Sequence, residues 1–196
     1  MSHAREVGLF LLLLAGCGAG GTKPAEVDRR VPPLLEDSAI VTDEFRQRLG
    51  TALRDAVRKG GYADAINTCA TQAPAIGESL ARPDRRVYRV GTRARNKRLG
   101  TPDAVDRRLL DKLAQRPAAE REPAWELERA ASGKATGLRV ARPIRTGADL
   151  CLKCHGGPDD LAPGVRDVLQ ATYPDDQATG YRLGDLRGAF VVRYTF

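Results

Sequence analysis

Cys151, Leu152, Lys153, Cys154 and His155 form a C-x-x-C-H run, the spacing by which a polypeptide attaches a c-type haem. Two thiols three positions apart fall on one side of a helical turn, where each can add to one of the two haem vinyl groups. The imidazole that follows then reaches the iron as an axial ligand. The run therefore predicts one covalent haem c, bonded through Cys151 and Cys154, with His155 on the iron. A thioredoxin-type reading expects a βαβ pattern nearby, and none is visible. A zinc reading gathers Cys69, Cys151, Cys154 and His155 into one Cys3His set, although neighbouring Cys154 and His155 reach a single tetrahedral ion awkwardly. A disulfide is a further alternative.

The second axial position is narrowed by subtraction. The chain has two His and one Met, and His3 and Met1 both lie in a leader expected to be removed. Val7 to Leu14 form an apolar run of signal-peptide length, too short to span a bilayer. It ends in Leu14-Ala15-Gly16-Cys17, the pattern of a bacterial lipobox, in which cleavage precedes a Cys that carries lipid. A mature chain beginning at Cys17 has neither a second His nor a Met, so a His/His or His/Met pair is unavailable. Cys69, a Lys, a Tyr, water or an open position remain. On its own evidence Cys69 reads more readily as a small buried hydrophobe than as a ligand.

The elements that position these residues follow from periodicity. Residues 17–40, which begin Gly18-Ala-Gly-Gly and contain Pro32-Pro33, read as a flexible tether. Phe45, Leu49, Leu53 and Val57 draw an apolar stripe on a helix over about 42–59, stopped by Gly60-Gly61. A second helix from Tyr62 carries Ile66, Cys69 and Ala73, and Pro74 predicts a kink. Arg86 to Val90 reads as a strand. Thr101-Pro102-Asp103 starts a helix with Val105, Leu109 and Leu113. The region around Trp125 reads as helical and polar, Leu138 to Pro143 as a strand, and Val165 to Leu169 as a short helix. Phe190, Val192, Tyr194 and Phe196 alternate with other residues in the clearest strand. Helices with scattered strands predict an α+β domain over 41–196, with a small antiparallel sheet, after a signal peptide at 1–16.

The net charge of +7 invites a nucleic-acid reading. Its distribution argues against one: residues 81–116 hold 12 Lys and Arg against 4 Asp and Glu, yet only one aromatic residue for stacking. No nucleic-acid partner is expected.

The order of motifs resembles the family of PAS-like c-type haem domains. The resemblance rests on Gly60-Gly61, Ala65-Ile66, Cys69, Ala73-Pro74, Arg95-Asn96 and the C-x-x-C-H run. It continues through Tyr173-Pro174, Asp176, Ala178, Gly180-Tyr181, Gly184-Asp185 and Gly188 into the last strand. It implies a PAS-like fold and makes His155 and Cys69 the axial pair. Where the family loop continues Arg-Asn-Pro, this chain has Asn96-Lys97-Arg98. Arg89, Arg93 and Arg95 are the expected partners of the haem propionates.

His/Cys ligation favours the ferric state, and a redox or diatomic-gas responsive domain is the first functional expectation. A simple electron-transfer cytochrome comes second. A peroxidase-like enzyme lacks a second His for acid–base work, so no enzyme activity is expected. A non-haem envelope module with the Cys3His zinc site comes last. A sensor would act through a separate redox or sensor-kinase partner, on the periplasmic side of the envelope. The anchor places the chain at a membrane, the outer one by preference because Gly18 offers no retention Asp. Cys17→Ser should abolish lipid labelling and cleavage by the lipoprotein peptidase; unchanged partition into membranes would contradict the lipobox.

Overall fold

A computed structural model describes residues 28–196; the expected signal peptide and Cys17 lie outside the described residues. Pro32-Pro33 occupy the first turn of helix α1 (Val31–Ser79), where a missing N–H costs nothing and a fixed φ favours helix. Within α1 only Gly61 leaves helical torsions, at φ 76° and ψ −169°, a conformation that suits glycine. The chain folds back there, so 31–60 and 62–79 form a helical hairpin. Arg48 Nη1 in one arm donates to Ser79 Oγ in the other at 2.9 Å. The stop at Gly60-Gly61 is therefore where the sequence puts it, whereas Pro74 stays within helical torsions.

The tether is shorter than expected, because residues 31–40 are part of the folded domain. Val31 is 1% exposed, and Asp37 accepts from Arg85 Nη1 at 2.8 Å and from Tyr194 Oη at 2.7 Å. Arg85 also donates to the Leu80 carbonyl. A cation, a carboxylate and a phenol at the end of the sheet thus fix the first turns of α1. Polarity and Pro32-Pro33 hid this, since a helix start and a linker share them.

Four antiparallel strands follow: β1 (Arg85–Gly91), β2 (Ala124–Arg129), β3 (Ala135–Arg145) and β4 (Leu186–Thr195), in the order β1-β4-β3-β2. Between them lie α2 (Lys97–Gly100), α3 (Ala104–Ala114), α4 (Asp149–His155) and α5 (Val165–Thr172). The domain is α+β, a small antiparallel sheet flanked by helices. The helix expected from Thr101 starts two residues later, with Asp103 as the N-cap accepting from the Asp106 N–H at 2.8 Å. The region around Trp125 is a strand, not a helix. Trp125 and Leu127 pair across from Val140 and Leu138, while Glu126 and Glu128 on the other face meet Arg108 and Arg139.

Both faces of the sheet are covered, which is why β3 and β4 read as nearly continuous apolar runs. On one face Val87, Leu138, Val140, Phe190 and Val192 pack against Phe45, Leu49, Ala73 and Ile76 of α1. The Phe45 and Phe190 ring centroids are 5.1 Å apart; burying each ring contributes about 1.5–3 kcal/mol. On the other face Val90, Ala189 and Val191 meet Leu109, Leu110 and Leu113 of α3. There Arg139, 3% exposed, binds Asp103, Asp106 and Glu128. No described helix is long and apolar enough to cross a membrane.

Gly77 sets how closely the second arm of α1 approaches β1: a Cβ there would stand 2.6 Å from the Val87 carbonyl oxygen. Gly77→Val should cost about 1–3 kcal/mol through overpacking and lower the urea midpoint. Gly50→Ala, whose Cβ would meet only the tip of Arg54, should leave the midpoint unchanged or raise it. Equal midpoints for Gly77→Val and the wild type would contradict this packing.

Candidate functional site

The C-x-x-C-H residues lie on α4, a helix of seven residues whose last turn is tied to the segment 176–181. Gly180 N–H donates to the Gly156 carbonyl at 2.7 Å and Tyr181 N–H to the His155 carbonyl at 2.9 Å. His155 Nδ1 stands 2.7 Å from the Ala178 carbonyl oxygen. A carbonyl only accepts, so Nδ1 carries the proton and Nε2 keeps its lone pair. Asp176 Oδ1 in turn accepts from the Ala178 N–H at 2.7 Å, which holds the acceptor in place. The Tyr181 ring stands edge-on to the imidazole, centroids 6.3 Å apart.

This imidazole borders a cavity of about 1020 Å³ between α4, the hairpin of α1 and the α1-facing side of the sheet. That lies at the upper end of the range for ligand pockets, about 300–1,000 Å³. Cys69, Cys151, Cys154 and His155 all line it, as do Arg89, Arg93 and Arg95. Every residue expected at the site from the sequence, apart from Cys17, thus reaches one space. Phe45, Leu49 and Leu53, read as a core stripe, supply part of its apolar wall. Cys69 packs against the α1–sheet core, and Cys154 against Ile66, Val165 and Leu169. Burial raises the Cys154 thiol above its usual pKa. Burial, then Arg187 and Arg95, holds His155 well below its usual pKa, so the ring is neutral, the form that ligates metals.

The three arginines part company. Arg95 donates from Nε to Asp176 at 3.1 Å and from Nη2 to the carbonyls of Cys154 and Ala178. It braces α4 against the 176–178 segment. Arg93 is exposed and lies over the Tyr181 ring, 3.8 Å from the centroid. Arg89 is half-buried, and burial, then the charge of Arg187, pushes it down to about 10.

Arg187 is the residue that sequence reasoning missed. Its Nη1 stands 3.2 Å from His155 Nε2. The visible signal was its position between Gly184-Asp185 and Gly188, where glycines mark an irregular strand start. Asn96 caps α2 by accepting from the Leu99 N–H at 3.1 Å, which accounts for the divergent loop. The zinc alternative fails: among the described residues no three His, Cys, Asp or Glu side chains converge to hold a metal ion. Cys69, Cys151 and Cys154 are free thiols.

The donor set suits a covalently held haem: two thiols at attachment spacing, a neutral imidazole with its outer nitrogen fixed, a further thiol, and a large apolar space. The crystal structure of the cyanobacterial heme-protein Tll0287 is similar to this chain, with a TM-score of 0.60 and 24% identity over 84% of this chain and 96% of that one. At this identity the likeness speaks for the fold. No curated protein matches. The family model described as Tll0287-like (Tll0287) matches residues 29–195, from just before α1 to the end of β4, in keeping with the resemblance carried by the motif order. The chain belongs to the Tll0287-like family.

Proposed function

We propose that this domain binds one haem covalently and responds to its redox state or to a diatomic gas. One observation carries the reading: Cys69, Cys151, Cys154 and His155 border a single cavity, with His155 Nδ1 already engaged. That the Tll0287 structure is of a haem protein supports it. Cys151 and Cys154 form the thioether bonds, and His155 Nε2 presents its lone pair to the iron. Cys69, on the α1 hairpin, would hold the iron as its second protein ligand, giving up its proton on binding. When bound, the haem supplies an iron that exchanges one electron and takes a gas in the ferrous form.

The residues divide the work. Ala178 and Asp176 hold the imidazole in one tautomer and orientation, so His155 is the fixed side. Cys69 belongs to a different element and lacks such a brace; as an anionic ligand it would suit ferric iron better than ferrous, and so would be the side that yields. Cys69 packs against the core between the α1 hairpin and the sheet, so a change there would pass to that packing, and a separate partner protein would read it. Lipid attachment at Cys17 on the periplasmic side of the envelope completes the reading.

Protein matured with the haem ligation machinery should keep its pigment through acid–acetone extraction, at one haem per chain. Cys151→Ser with Cys154→Ser should lose it. Pigment that extracts from the wild type would overturn covalent attachment.

A further inference from the structure

Arg187 reaches the cavity because of a local irregularity in β4. Ile144 pairs with Gly188 and Arg145 with Leu186, so Arg187 is one residue more than its partner strand accounts for, a β-bulge. Leu186 and Ala189, three positions apart, both pack toward α3. In a regular strand residues three apart lie on opposite faces. The extra residue restores the parity and sends the Arg187 side chain to the opposite side, into the cavity.

There it stands beside Arg89. Burial, then the charge of Arg187, lowers the Arg89 pKa; burial, then the charge of Arg95, lowers that of Arg187. Among the described residues neither forms an ion pair. The cavity wall holds nine arginines and only two carboxylates, Asp43 and Glu78. Asp43 is paired with Arg46. Arg95, Arg142 and Arg145 are spent on carbonyls, a hydroxyl and Asp176. Arg89 has only the face of Phe45, 5.8 Å from its centroid. Arg187 has only the lone pair of His155 Nε2.

That last partner is the one an iron takes. A guanidinium then left in an apolar cavity, next to a second cation, carries a desolvation cost that only an anion offsets. Among the described residues neither Asp43, paired with Arg46, nor the exposed Glu78 pairs with Arg187 or Arg89, so the ligand must bring the anion.

Resting on the haem reading above, we propose that Arg187, with Arg89, binds the haem propionates: two adjacent guanidiniums facing a pair of carboxylates. Arg187 moves from His155 Nε2 to a propionate as the iron takes the imidazole. Its fork matches a carboxylate bidentately, which Lys does not. The cation also offsets the negative charge gained on reduction, so Arg187 raises the haem potential.

The test compares wild type, Arg187→Gln and Arg187→Lys, each matured with the haem ligation machinery. Haem content is read by pyridine haemochrome, the propionate bending mode by resonance Raman, and the potential by redox titration. Arg187→Gln should shift the propionate mode and lower the potential, with Arg187→Lys shifting the mode while recovering part of the potential. Haem-loaded variants with the wild-type mode and potential overturn the propionate role. A wild type without covalent haem overturns instead the reading on which it rests. Should Arg187→Gln yield no haem protein, the Lys variant decides: a shifted mode supports the contact and an unshifted one overturns it.

Discussion

The hydrogen bond from His155 Nδ1 to the Ala178 carbonyl, 2.7 Å long, is the contact on which the site depends. It decides which ring nitrogen holds the proton, and hence which one keeps a lone pair, here met by Arg187 Nη1. It also accounts for a good deal of the surrounding architecture. Asp176 accepts from the Ala178 N–H, Arg95 joins Asp176 to the carbonyls of Cys154 and Ala178, and two backbone bonds tie residues 180–181 to the end of α4. A seven-residue helix has little stability of its own. These contacts from a distant segment hold it, and they hold it in the orientation that aims His155 inward.

Around that fixed imidazole the cavity combines features that conflict in a protein interior. Its wall is largely apolar, yet Arg89 and Arg187 face it without carboxylate partners. Burial lowers the pKa of both, a sign that the cations are disfavoured there. Such an arrangement is costly for the protein alone and is resolved by a ligand with an apolar body, anionic groups and a metal that accepts nitrogen. The Tll0287-like family membership and the chemistry of the donor set point to the same kind of ligand by separate routes.

The chemistry-bearing residues were legible because their pattern is local: two thiols and an imidazole within five positions admit few readings. The hairpin of α1 was legible for a similar reason, since Gly61 sits at the one break in a long apolar stripe. What escaped the sequence depends on partners far along the chain. Trp125 to Arg129 is a strand because Glu126 and Glu128 meet Arg108 and Arg139 on one face while Trp125 and Leu127 lie on the other. That period of two was present in the sequence, but short and highly charged. Residues 31–40 read as linker because the charge that anchors them, Arg85, lies some fifty residues away. Arg187 escaped notice because a bulge that reverses a side chain's direction leaves only a flanking glycine as its trace.

The central claim is that His155 is fixed while Cys69, from the α1 hairpin, ligates the iron. Low-temperature electron paramagnetic resonance of the ferric protein tests it most directly, in wild type and Cys69→Ala. The account predicts a low-spin spectrum with thiolate character for the wild type, and a high-spin or water-ligated spectrum for Cys69→Ala with the haem still attached. Identical spectra for the two proteins would make Cys69 a packing residue and contradict the account.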